Sequence, residues 1–76
     1  MRERQLQDLI VATLAREHGG TARAWRIAVG PIKLYDVLTH PHCNWSASPR
    51  GTTRENAIIE GVLDDVRGAH PVIMPG

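Results

Sequence analysis

Along residues 3–18 the apolar side chains Leu6, Leu9, Ile10 and Leu14 recur at helical spacing, with Thr13 completing the stripe, while Gln7, Asp8, Arg16 and Glu17 fall mostly elsewhere. That period predicts an amphipathic helix with one buried face. Gly19-Gly20 follows, and glycine readily takes the left-handed conformation that closes a helix. Arg16 and His18 sit in the last turn, near the carbonyl end of the dipole. The pattern then changes period. In Arg23-Ala24-Trp25-Arg26-Ile27-Ala28-Val29, the side chains of Trp25, Ile27 and Val29 would share one side of an extended chain and Ala24, Arg26 and Ala28 the other, which predicts a half-buried strand. Gly30-Pro31 interrupts it and predicts a turn into a second strand over residues 32–38. Residues 39–42 read as a loop. Residues 43–48 alternate again, with Cys43, Trp45 and Ala47 opposite Asn44, Ser46 and Ser48, and predict a third strand.

Pro49-Arg50-Gly51 breaks that strand. Thr52 stands three residues before Glu55, the spacing at which hydroxyl and carboxylate reciprocally satisfy the free amides that open a helix. The second helix so predicted buries Ile59, Val62, Leu63 and Val66, has Ile58 at its margin, turns Glu60, Asp64 and Asp65 to water, and is capped by Gly68. Residues 69–76, with Pro71, Pro75 and the apolar run Val72-Ile73-Met74, read as a C-terminal tail, packed or forming a short edge segment.

The predicted fold class is therefore α+β. The order is helix, strand, strand, strand, helix, with two helices packed on one face of a three-stranded antiparallel sheet, in one domain over residues 1–76. This order resembles the layout of the double-stranded RNA-binding domain. That family opens its second helix with a lysine-rich cluster that reads phosphates, and the matching stretch here is Arg50-Gly51-Thr52-Thr53-Arg54-Glu55. The resemblance implies an arrangement of elements; activity has to be argued from the site, because one fold hosts many functions.

With 76 residues there is room for one core and no second domain, and a core of that size gains from a disulfide, a metal or a second subunit. The single cysteine, Cys43, excludes an internal disulfide. The start Met1-Arg2-Glu3-Arg4-Gln5 lacks a basic cap followed by an apolar run, and the longest nearly uncharged stretch is broken by Pro31, Lys33 and Asp36. A cytoplasmic protein with no membrane contact is the expectation. A formal net charge of +1 supplies no global attraction to polyanions, so a phosphate-binding site would have to be local.

Candidate chemistry concentrates around His40, His42 and Cys43, with Asp36 nearby. These are zinc-ligand types, yet a structural site takes four ligands in two separated pairs, and the second pair would require His18 or His70 to fold in. Cys43 beside His42 raises thiol catalysis, but neighbours on a strand point to opposite faces. No nucleotide loop, paired-carboxylate signature or nucleophile elbow appears, so the reading is non-catalytic and without a cofactor. The alternation places Trp25 and Trp45 in the core, their indole N–H groups needing partners at its margin. With Ile32, Leu34 and Leu38 inward, Lys33 and Tyr35 would join Arg26 on the outer sheet face as a small basic and aromatic contact patch. The resulting expectation is a small interaction module that binds a protein partner or its own copy through Arg26, Lys33 and Tyr35. The alternative is nucleic-acid binding through Arg50 and Arg54 at the start of the second helix, with Arg23 assisting. A third reading is metal binding by His40, His42 and Cys43.

Overall fold

The first helix forms where the apolar stripe places it. A computed structural model describes all residues, Met1–Gly76, in the order α1 (Glu3–His18), α2 (Ala22–Val29), β1 (Ile32–Leu34), β2 (Trp45–Ala47) and α3 (Thr53–Ala69). In α1 the side chains of Leu6, Ile10, Val11 and Leu14 are buried, and Gly19 ends the helix at φ 74° and ψ −168° while its N–H donates to the Ala15 carbonyl at 3.0 Å. That backbone region is open essentially to glycine alone.

The second element is a helix, which corrects the strand predicted for residues 23–29. Its buried residues are Trp25, Ala28 and Val29, at helical steps of three and one, and Ile27 is 66% exposed. Helix signals sit at both ends. Thr21 accepts a hydrogen bond from the Ala24 amide at 3.1 Å, and Gly30 takes up φ 73° and ψ −170° to stop the chain from winding further. Three alanines in eight residues favour helix over strand, and together with the caps they outweigh an alternation that rested on Ile27.

The sheet consequently has two strands and not three. β1 and β2 pair antiparallel in the register Ile32 with Ala47, Lys33 with Ser46 and Leu34 with Trp45. Ile32, Leu34, Trp45 and Ala47 turn toward the core, leaving Lys33 and Ser46 on the outer face. The strand predicted to run to Leu38 stops at Leu34, because Asp36 organises a turn. Its side chain accepts the Leu38 amide at 2.9 Å, and its carbonyl accepts the amides of Thr39 and His40 at 3.1 and 2.9 Å. Leu38, expected inward, is 86% exposed.

Helix α3 opens with the reciprocal pair the sequence predicts: Thr52 Oγ1 accepts from the Glu55 amide at 3.1 Å, and Glu55 Oε1 accepts from the Thr52 amide at 2.8 Å. It buries Ile59, Val62, Leu63 and Val66. The helix runs through Gly68 to Ala69, with the His70 amide closing on the Val66 carbonyl at 2.7 Å, so Gly68 is not the cap. Fourteen buried apolar residues form one core, in which α1 packs against α2, α3 and β1. Both tryptophans join it, and each indole finds a carbonyl at the margin: Trp25 donates to Gly19 at 2.7 Å and Trp45 to His70 at 2.8 Å. No helix is long and apolar enough to cross a membrane.

The C-terminal segment is anchored at both sides. The buried Asn44 carboxamide donates to the Ile73 carbonyl and accepts from the Ile73 amide, both at 2.8 Å, while Ile73 itself lies in the core. Met74 on the other side bridges Arg2 in parallel, its amide donating to the Met1 carbonyl and its carbonyl accepting from the Glu3 amide, both at 2.9 Å. Replacing Asn44 by Ala leaves both Ile73 backbone groups unanswered in a dry site, at about 1–3 kcal/mol for each. Asn44→Ala is expected to lower Tm by ~10 °C or more in a thermal melt, and an unchanged Tm would show that the clasp carries no stability.

At the α2 end, a Cβ on Gly30 would stand 3.1 Å from Arg50 Nε on a backbone that side chains rarely adopt. Gly30→Ala is expected to cost about 1–3 kcal/mol in urea unfolding. Shortening the flexible neighbour with Arg50→Ala should recover little of that loss, since the backbone carries most of it; full recovery would identify the contact with Arg50 as the cause.

Candidate interaction site

The most apolar concavity is a cleft of about 340 Å³ between two runs of consecutive residues. One wall is Leu34, Tyr35, Asp36 and Val37, where β1 runs into the Asp36 turn. The other is Val72, Ile73, Met74 and Pro75 of the C-terminal segment, and Asn44 lies between them. The clasp that Asn44 makes on Ile73 fixes the second wall relative to the first. Val37, Val72 and Met74 stand 43%, 47% and 56% exposed at the cleft, and the neighbouring Leu38 is almost free in solvent. Apolar side chains gathered at one place are more informative than scattered ones.

The polar side chains of the cleft already hold internal partners. The Asn44 carboxamide serves Ile73, the Asp36 carboxylate accepts from Leu38, and the Tyr35 hydroxyl lies 3.2 Å from Ser46 Oγ. Its volume is at the small end of the range for small-molecule sites, which also need a few free polar groups to orient the ligand. The chemistry left on offer is contact with aliphatic side chains. A hollow of about 260 Å³ bounded by Glu3, Arg4, Gln7 and Gly76 has no apolar wall.

Of the three residues assigned to the outer sheet patch, two come together. Lys33 Nζ lies 5.4 Å from the centroid of the Tyr35 ring, and that ring stacks on His40 with centroids 4.3 Å apart. Arg26 belongs to α2, where its guanidinium pairs with Asp8 on α1 at 2.9 Å and reaches Gln7 at 3.4 Å. It is placed there by the helix that replaces the predicted strand.

The arginines of the phosphate-binding reading are dispersed. Arg50 lies across Gly30 and donates its backbone N–H to Ala28 at 2.6 Å, Arg54 is exposed in the first turn of α3, and Arg23 is exposed on α2. At the start of α3 the chain already answers the amides of Gly51, Thr52 and Glu55, with Asn56 serving the first at 2.9 Å. An incoming phosphate would meet the Glu55 carboxylate in that place.

The loop residues take structural partners. Thr39 Oγ1 and His40 Nδ1 lie 2.9 Å apart, the half-buried Cys43 thiol donates to the Trp45 carbonyl at 3.4 Å, and His42 is exposed. No group of three or more His, Cys, Asp or Glu side chains is placed to hold a metal ion.

Sequence reasoning did not single out Val37, Val72 or Met74 as a site. The apolar run Val72-Ile73-Met74 carried a signal, since only its middle residue is needed for the core. Neither the family models, nor the curated proteins, nor the solved structures contain a match to this chain.

Proposed function

We propose that this chain is a small non-catalytic interaction module that binds a protein partner by taking its aliphatic side chains into the cleft between residues 34–37 and 72–75. The observation that supports this reading is the convergence of Val37, Val72 and Met74, all substantially exposed, on one cleft whose polar side chains are already engaged. Water released from such a surface stabilises a complex by about 25 cal/mol per Å² of apolar area buried. On the adjoining sheet face Tyr35 supplies an aromatic ring of the kind enriched at protein contacts, with Lys33 as part of a polar rim. The Asn44 clasp keeps the cleft formed before binding, which limits the ordering cost of association.

Val72→Asp and Met74→Asp place a carboxylate where the partner's apolar side chain would sit, and both positions are exposed, so the fold tolerates the change. Each variant is expected to lose tenfold or more in affinity for a protein captured by the unaltered chain, equivalent to about 1.4 kcal/mol. Circular dichroism serves to confirm the fold. Arg50→Ala and Arg54→Ala should bind as the unaltered chain does. Capture that ignores both cleft variants, or that fails in the arginine variants and weakens steeply with salt, would refute the reading and point to phosphate contacts instead.

A further inference from the structure

We propose that β1 pairs with β1 of a second copy through its open edge, joining two ribbons into one four-stranded antiparallel sheet about a twofold axis at Leu34. This contact uses the backbone of Leu34, a residue of one cleft wall, and not the exposed side chains of Val72 and Met74, so the two readings can fail separately. The Tyr35 amide donates to the Asn44 carbonyl at 2.8 Å while the Asn44 amide turns to the Pro71 carbonyl, so the antiparallel alternation gives one ladder bond to 35·44 and makes 33·46 the next bonded pair. Ile32 and Leu34 then aim their N–H and C=O groups away from β2, and no backbone or side-chain group of the chain answers them. Leu34 also faces the core yet is only half buried, as an edge residue is when its neighbouring strand is missing.

Charge selects the register. An edge centred on Lys33 would set two ammonium groups opposite each other on the outer face, which is destabilising. Moving the axis one residue to Leu34 places each Lys33 opposite Tyr35 of the other copy, a cation over an aromatic ring, and brings the two Leu34 side chains together on the inner face. Leu34 of each copy exchanges both backbone bonds with Leu34 of the other. Ile32 comes opposite Asp36, whose turn ends the pairing. An unpaired edge is a template for another strand, and here the template fits its own copy.

Light scattering across a dilution series is expected to read twice the 8.4 kDa chain mass at high concentration and 8.4 kDa on dilution. Amide exchange by NMR identifies the surface in the unaltered chain. The Leu34 amide should slow tenfold or more between dilute and concentrated samples, while the Lys33 amide, bonded within the ribbon, is protected in both. Leu34→Pro removes the central donor without removing a ladder bond and should remain at 8.4 kDa. Met74→Asp, which disables the cleft, should still dimerise. A mass of 8.4 kDa up to about 1 mM, a dimer whose Leu34 amide exchanges freely, or a dimer abolished by Met74→Asp would each overturn the proposal.

Discussion

The carboxamide of Asn44 fixes the C-terminal segment beside the ribbon, together with the Asn44 amide, which donates to the Pro71 carbonyl at 3.0 Å, and the Trp45 indole, which donates to the His70 carbonyl at 2.8 Å. The carboxamide is buried, it stands beside β2, and with one donor and one acceptor it reproduces on Ile73 the pair of bonds that a neighbouring strand would make. Ile73 can therefore enter the core without leaving its backbone groups dry and unpaired, a loss that would offset the burial of its side chain. Met74, fixed next to it, is then presented to the N-terminal residues, so the backbone bonds that join the two ends of the chain lie one residue from the clasp. The cleft follows from this geometry. Asn44 spans the distance between the C-terminal segment and the ribbon by a side chain, where a further strand would have filled the space.

Around that clasp the domain is mainly helical, and α1 is the element the others share. Its buried face meets α2, α3 and β1, which lets a ribbon of two three-residue strands survive as a lid on a helical core. A ribbon of that size is not stable alone. Its inner residues Ile32 and Trp45 hold it down, and Trp45 is secured further by its bond to His70 and by Arg67, whose guanidinium carbon lies 5.1 Å from the ring centroid.

Helices α1 and α3 were legible because each carries a long apolar stripe and a clear end: Gly19 for one, the Thr52 and Glu55 pair for the other. The segment 22–29 was not, because eight residues can satisfy two periods at once. Trp25 and Val29 fit both, and the choice between Ile27 and Ala28 as the third buried residue decides strand or helix. Small size made Ala28 look incidental, yet Thr21 before the segment and Gly30 after it were the better guide. That one substitution of helix for strand also moves Arg26 off the expected patch, while Lys33 and Tyr35 stay on the outer face, since β1 turns Ile32 and Leu34 inward although it ends well before Leu38. The cleft was illegible for a different reason. It depends on Asn44 reaching residue 73, a contact spanning 29 positions, and no local pattern encodes such a distance.

The distribution of charge leaves apolar surface and backbone edge, and not a cluster of cations, as the unengaged groups of this fold. Arg26 is paired with Asp8, Arg67 with Asp64 beside Trp45, and Arg50 is laid over Gly30, while Arg23 and Arg54 stand exposed on separate helices. Exposed pairs of this kind contribute little stability, about 0–1 kcal/mol each, but they disperse the positive charge that a polyanion would need concentrated. The positive end of α3 is screened by the carboxylate of Glu55, which the capping geometry requires to be there. Strengthening a phosphate site at that position would mean giving up the cap that starts the helix. The cleft and the edge of β1 carry no such conflict: the polar side chains of the cleft are satisfied internally, and the aliphatic side chains and the Leu34 backbone groups presented there have no competing use within the chain.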